Sequence, residues 1–375
     1  MTKQLTIIHT ECSLNWGGQE QRVFQELMEM KARGHRVILV TPSHSALSEK
    51  CKKNDIKVFN LLFTNERFLL NVFKLRKIFN TLKADVVNPH SSKDGWVGVL
   101  AARLSRVPCI IRSRHIEVDY PNRFISQYAF KGLPHHVITT SERIRRRLID
   151  ELGVEYNRID TIPTGVDTDR FCPLRNQGIL RDELGISKEK KIVGMISVLR
   201  SWKGHRYFIE AAKQLSEDND DLHFVIVGDG PQKKDIQLLL QEFDLAGKVS
   251  LLGHREDVPN VLADFNLLVL PSTGQEGIPQ IVLQAQAMKI PVVGTRIGGI
   301  PEVIQDGVTG RLVPPGDSTR LSCAISEALK CYSFSCSMAE KAAQMVYTNH
   351  SLREMGNRLE LIYSRYVPGY RPILL

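Results

Sequence analysis

Two cations, Arg200 and Lys203, stand three residues apart in Leu-Arg-Ser-Trp-Lys-Gly. They lie between an apolar run, Lys191 to Val198, and a helix that opens near His205. Fixed cations at a helix start suit an anion, because the unpaired N–H groups and the helix dipole add to their charge. A second group lies in Pro271 to Glu302. Glu276 sits in a glycine turn, and Gln284 follows eight residues later inside a segment rich in Ile281, Val282, Leu283, Ala285, Ala287 and Met288. Two polar side chains in so apolar a stretch need partners, and a polyhydroxylated ligand supplies them. The turn at Gly277-Ile278 leads into Pro279, which suits the first turn of a helix and leaves backbone amides free. Near the start of the chain, Gly17-Gly18 lets backbone amides approach a ligand closely. His90 and His115, the latter preceded by Arg114, follow apolar strand-like runs.

The elements that position these residues repeat a strand–helix rhythm. Leu5–Ile8, a glycine turn, a helix capped by Gly34 and Val37–Val40 make a βαβ unit, hence a parallel sheet. Strands follow at 58–61, 85–88, 108–111 and 136–140. Helices are expected at 68–82 and 95–104, and Ser141 caps a basic helix. In open parallel sheets the ligand edge is the carboxyl end of the strands, where His90 and His115 fall. The rhythm restarts with Lys191–Val198, then Leu222–Val227, Val249–Leu252, Leu267–Leu270 and Val292–Val293. Helices are expected from about 317 to 346 and from 351 to 366. The Gly-Asp-Gly-Pro turn at 228–231 imitates a dinucleotide fingerprint, but Lys233 takes the place of its third glycine, which disfavours a nicotinamide site.

With 375 residues, two domains are expected, and an apolar fraction of 42% suffices for two cores. No apolar run is long enough to span a bilayer, and the N-terminus enters a strand at once without a cleavage pattern. Seven cysteines at scattered positions, none in Cys-x-x-Cys, fit free thiols in a reducing compartment. Charge is uneven: residues 1–170 carry 27 basic against 18 acidic side chains, and residues 171–375 carry 23 of each. Arg143, Arg145, Arg146 and Arg147 form the densest cluster. A basic half attracts a lipid headgroup surface or a phosphorylated acceptor; a solvated helix face is the plain alternative. Nucleic acid is not expected, since no recognition motif accompanies the charge.

The stretch with Glu276 and Gln284 resembles the signature of the retaining family-4 glycosyltransferases, in which two Glu are separated by seven residues; here Gln284 stands at the second position. The resemblance runs from Gly17 to about Glu302. It includes Arg200-Ser-Trp-Lys203-Gly204, which matches the family's Arg-x-x-Lys-Gly, and Asn157 to Asp167, except that Thr164 stands where Asn is common. It implies an α/β protein of GT-B fold, two Rossmann-like domains with parallel sheets facing across a cleft. The domains would be 1–172 for the acceptor and 173–350 for a nucleotide sugar, with a linker near 170–188. A last helix and tail, 351–375, would cross back to the first domain.

Resemblance assigns roles. Arg200 and Lys203 would hold the leaving diphosphate, Glu276 the sugar hydroxyls and Gln284 the ribose, through a carbonyl but without charge. Gly17, Gly18, Gly277 and Ile278 would complete the anion site, and Gly253 would lie near the base. His115 would touch the donor sugar and steady its oxocarbenium-like charge; His90 and Arg114 would line the acceptor side. No cofactor is expected beyond the nucleotide-sugar co-substrate, and with two cations present no metal. Asp218-Asn219-Asp220 looks like an Asp-x-Asp metal motif but precedes a strand and reads as a solvated loop. The implied partner is a saccharide or lipid-linked acceptor, in bacterial polysaccharide or lipopolysaccharide synthesis, at the cytoplasmic face of the inner membrane. The rivals are a GT-B nucleotide-sugar epimerase, for which no acid–base pair is visible, and a non-catalytic nucleotide-sugar binding module.

Overall fold

The computed structural model describes residues 3–116, 119, 122–174, 177–217, 219–274, 276–372 and 374. Asp218 of the acidic run and Gln275 of the Glu276 turn lie outside them. The chain divides into two units, residues 1–165 with 352–375, and residues 166–351.

The first unit is built on a seven-stranded sheet: β1 Thr6–Thr10, β2 Arg36–Thr41, β3 Lys57–Asn60, β4 Val86–Pro89, β5 Cys109–Arg114, β6 His136–Thr139 and β7 Ile159–Thr161. The order is β3-β2-β1-β4-β5-β6-β7, with every pairing parallel. Helices cover both faces, which is why strands such as β2 are apolar without alternation. Ile7 packs on one face with Leu27, Met30, Leu359 and Tyr363, while Ile8 packs on the other with Leu75, Phe79 and Val97. The last helix, Leu352–Tyr366, is fastened to this unit by buried polar contacts. Arg33 donates to Glu360 (3.2 Å) and to the carbonyl of Arg353 (2.7 Å), and Glu360 also meets His35 at 3.0 Å. Gly356 makes room for this: a Cβ there would lie 2.5 Å from the Arg33 guanidinium.

The second unit holds a six-stranded parallel sheet: β8 Lys191–Ile196, β9 Leu222–Val227, β10 Val249–Leu251, β11 Leu267–Leu270, β12 Val292–Thr295 and β13 Arg311–Val313, ordered β10-β9-β8-β11-β12-β13. Its core also lies on both faces, around Leu268, Val282 and Ile300 on one and Phe208, Phe224 and Ile325 on the other.

Three sequence expectations shift. The division falls at Gly165/Val166, ahead of 172/173, because the Val166 amide donates to the carbonyl of His350 (2.7 Å) and Phe171 joins the second core. β5 runs on through Arg114, because Ile111–Arg114 pair with His136–Thr139. The long helix expected over 317–346 is two helices, Ser318–Lys330 and Tyr332–Asn349, broken at Cys331.

Candidate functional site

In each sheet the strand order reverses once, between β8 and β11 in the second unit and between β1 and β4 in the first. Ligands of open parallel sheets bind beyond the carboxyl ends of strands at such a switch point. The candidate residues gather at both.

In the second unit, β8 leads into Arg200 and the short turn Ser201–Lys203, and β11 leads into Pro271 to Glu276. The two loops meet in an ion pair: Lys203 Nζ donates to Glu276 Oε1 at 2.7 Å and Oε2 at 2.8 Å. The Glu276 side chain is 4% exposed and that of Lys203 21%, so the carboxylate is fixed while the lysine keeps part of its side chain in solvent. The Thr273 amide donates to the Trp202 carbonyl at 2.7 Å, and Arg200 lies over the Trp202 ring.

Glycines permit these loops. Gly204 has φ +80°, and a Cβ would fall 1.9 Å from the Pro271 carbonyl oxygen. Gly298 (φ +56°) and Gly299 press against the backbone of Glu276 and Gly277, and the Gly299 amide donates to the Glu276 carbonyl at 3.0 Å. Gly277 and Ile278 lead to Pro279, which caps the helix Gln280–Ala287; Gln284 is buried in that helix. Gly253 closes a neighbouring turn, its carbonyl accepting from the Gly228 amide at 2.8 Å. His205 is buried behind Lys203, and burial lowers its pKa to about 4 despite help from the Arg200 backbone.

The first unit offers a different chemistry. Gly17 caps the helix Gly18–Ala32, its amide donating to Glu20 at 2.8 Å, and Gly18 has open space where a side chain would be. His90 and His115 meet: His90 Nδ1 and His115 Nε2 are 2.8 Å apart. Arg114 ends β5, buried, with Nη1 3.4 Å from Ser92 Oγ. Sequence reasoning missed several residues here. His9 on β1 continues the histidine row, with Nδ1 2.7 Å from His90 Nε2. Asp94 accepts from Thr10 Oγ1 (2.7 Å) and from the His90 amide (3.1 Å). Glu11 accepts from Gln19, Ser91 and the Ser13 amide. Burial and the nearby Asp94 push the Glu11 pKa up to about 7, and burial raises Asp94 as well. A signal exists: His9 and Glu11 flank the end of the first strand, the same sheet edge at which His90 and His115 fall.

Comparison with known proteins decides the family. The Glycosyltransferase Family 4 model matches residues 16–170 and the Glycosyl transferases group 1 model residues 176–345. The chain is 33% identical to an Escherichia coli UDP-Gal:alpha-D-GlcNAc-diphosphoundecaprenol alpha-1,3-galactosyltransferase over 268 residues, 68% of either chain. It is a family-4 glycosyltransferase. Among solved structures it is similar to a glycosyltransferase from Rickettsia africae, with TM-score 0.89 and 23% identity over 98% of this chain and 99% of that one. It is also similar to Anabaena HepE in complex with UDP, with TM-score 0.85 and 20% identity over 96% and 100%. At such identities the likeness shows the fold, and the fold is GT-B. The glycosyltransferase is thus an enzyme of nucleotide-sugar transfer, and neither the epimerase nor the binding-module reading is favoured. Among its described residues no helix is long and apolar enough to cross a membrane.

Proposed function

We propose that this glycosyltransferase moves a sugar from a UDP-sugar to a saccharide carried on a lipid diphosphate, with retention at the anomeric carbon. The observation that carries the donor half is the Lys203–Glu276 pair at the β8/β11 switch, framed by glycine turns. Lys203 and Arg200 meet the negative charge that develops as the diphosphate departs. Glu276, held by Lys203, accepts from sugar hydroxyls, and Gln284 serves the ribose. Amides of Gly18, Gly277 and Ile278 reach the phosphates, the Gly17 amide being taken by Glu20; Gly253 lies beside the base, and His115 contacts the transferred sugar. The bond from the anomeric carbon to the diphosphate oxygen breaks, and a bond to the acceptor oxygen forms on the same face. The acceptor's proton passes to the departing phosphate oxygen. Two fixed cations and a helix start supply the charge neutralisation, so no divalent metal or other cofactor is required. A UDP donor is supported by the names of the E. coli relative and the Anabaena complex.

The acceptor side is supported by the same relative, which acts on a diphosphoundecaprenol-linked sugar. Arg114 is assigned to that side; His90, with both ring nitrogens taken by His9 and His115, stands behind His115 and does not reach the acceptor. The helix Phe68–Leu82 turns Leu69, Leu70 and Phe73 outward, with Lys74, Arg76 and Lys77 also exposed. Apolar side chains amid flexible cations suit the cytoplasmic surface of an anionic membrane. Within the arginine cluster, Arg145 and Arg147 pair with Glu142 and Glu151 of their own helix, which leaves Arg143 and Arg146 as its exposed members. The test is incubation with UDP-hexoses and a synthetic prenyl-diphosphate N-acetylglucosamine, with the new linkage assigned by NMR. An axial product from an axial donor is expected; an inverted linkage would refute retention. Anionic vesicles at low salt should retain the protein, and Leu69→Ser with Phe73→Ser should release it. Equal binding by this variant would remove the membrane face.

A further inference from the structure

His9, His90 and His115 form one row across β1, β4 and β5. Successive rings are nearly parallel, with interplanar angles of 11° and 23°, and join nitrogen to nitrogen at 2.7 and 2.8 Å. Burial holds all three pKa values down, His9 to about 4, so all are neutral at pH 7. A neutral imidazole carries one N–H and one lone pair. Each ring therefore donates once and accepts once, and the row has only two registers. In one, every Nδ1 carries the proton and His115 ends in a free Nδ1–H. In the other, every Nε2 carries it and His115 ends in a lone pair.

Two observations choose between them. Glu26, ion-paired to Arg22 and accepting from the Asn88 side chain, sets its Oε2 3.9 Å from His9 Nδ1. A carboxylate there favours a proton on Nδ1 over a lone pair. Moreover, His9 Nε2 and His115 Nδ1 have no hydrogen-bond partner among the described residues. The Nε2 register would strand an N–H at His9, which is fully buried inside the fold. The Nδ1 register moves the lone donor to His115, whose Nδ1 is buried too but which is 8% exposed as a residue and stands at the strand end where a ligand arrives.

We infer that Glu26 is a positioning residue: acting through His9 and His90, it fixes the tautomer of His115 so that Nδ1 presents an N–H to the bound substrate. The inference rests on the reading of His115 as a sugar contact and sharpens it. The substrate atom there must be a hydrogen-bond acceptor, a hydroxyl or phosphate oxygen. An N–H directed at a positive centre would repel it, so His115 does not steady the oxocarbenium charge through this atom. A cation held by His9, Glu26 and His90 is a rival use of the cluster. Two nitrogens on a tetrahedral zinc at ~2.1 Å would stand about 3.4 Å apart, however, whereas 2.7 Å is hydrogen-bond spacing.

The test is the tautomer itself. In protein labelled with ¹⁵N-histidine, long-range ¹H–¹⁵N correlation distinguishes the two protonated nitrogens. Nδ1–H is expected on all three rings at pH 7, with no change on adding a chelator. Glu26→Gln should turn His115 to Nε2–H and lower kcat by about tenfold. If that variant does not fold, His9→Phe removes the first donor and should give the same reversal. His115→Asn, which keeps an amide near the Nδ1 position, should retain turnover that His115→Gln loses by about a hundredfold. Nε2–H on His115 in the parent, or a tautomer indifferent to both Glu26→Gln and His9→Phe, would overturn the inference. A nucleotide sugar that leaves the His115 Nδ1 resonance unmoved would instead count against the sugar-contact reading, since the tautomer is measured without substrate.

Discussion

The two sheets reverse at equivalent places, but the groups gathered there have opposite chemistry. At the β8/β11 switch the groups are permanently charged, and Lys203 and Arg200 keep part of their surface in solvent. At the β1/β4 switch the groups are buried and titratable, and their charge is suppressed: three neutral histidines and the carboxyls Glu11 and Asp94, both shifted upward. A diphosphate is charged throughout the reaction and gains charge as it departs, so fixed cations suit it. Hydroxyls are recognised by where hydrogens sit, and burial is what fixes hydrogens.

The largest expected effect lies at the charged switch. Arg200→Ala or Lys203→Ala should lower kcat/KM by about 10³-fold, since each removes a charge-assisted contact made most strongly as the diphosphate leaves. Lys203→Ala also strands the buried Glu276 carboxylate, so adding Glu276→Gln should restore part of the lost donor binding. A double variant no better than the single would show that the pair is not coupled.

Next comes the backbone. Gly204→Ala places a Cβ against Pro271 in a left-handed conformation and should cost about 3 kcal/mol, read as a lowered urea midpoint. Gly18→Ala meets nothing within 4 Å and should leave the midpoint within about 0.5 kcal/mol. Equal losses would mean that the two glycine turns are not built for different ends.

The smallest effect is the pH dependence of the first unit. Glu11 has a folded pKa near 7, above its usual value of 4.5. Its stabilising contribution is therefore full below pH 4.5 and lost as pH rises through 7. His9 behaves oppositely: its folded pKa near 4 lies below 6.5, so the stability it carries above 6.5 is lost as pH falls toward 4. Glu11→Gln should gain on the parent by about 1–3 kcal/mol between pH 5 and pH 8. A constant difference across that range would place an ordinary carboxylate at Glu11.

The same contrast explains what is legible in the sequence. The second-unit site is local. Arg200, Lys203 and Gly204 fall within five residues, and their spacing after an apolar strand marks an anion site by itself. The strand–helix rhythm likewise marks both sheets, because helices on both faces make every strand an apolar run. The first-unit cluster draws on β1, β4, β5 and the helix from Gly18, so His9, Glu26 and Asp94 join only when the strands align. His9 looks like any residue near a strand end until its register opposite Asn88 is known. The unit boundary escapes a local reading because Val166 answers to His350 and Ser351, far along the chain. The break at Cys331 carries no glycine or proline to mark it.

The most direct test of the account is nucleotide binding by thermal shift. UDP, GDP, ADP and CMP, alone and as their sugars, would be compared on the parent and on Arg200→Ala, with and without Mg²⁺. A ligand that binds only the folded state raises the melting temperature. The account predicts a rise with UDP and UDP-sugars that needs no metal and shrinks in Arg200→Ala. No rise from any nucleotide, or an undiminished rise in the variant, would contradict the assignment of the donor diphosphate to the β8/β11 switch.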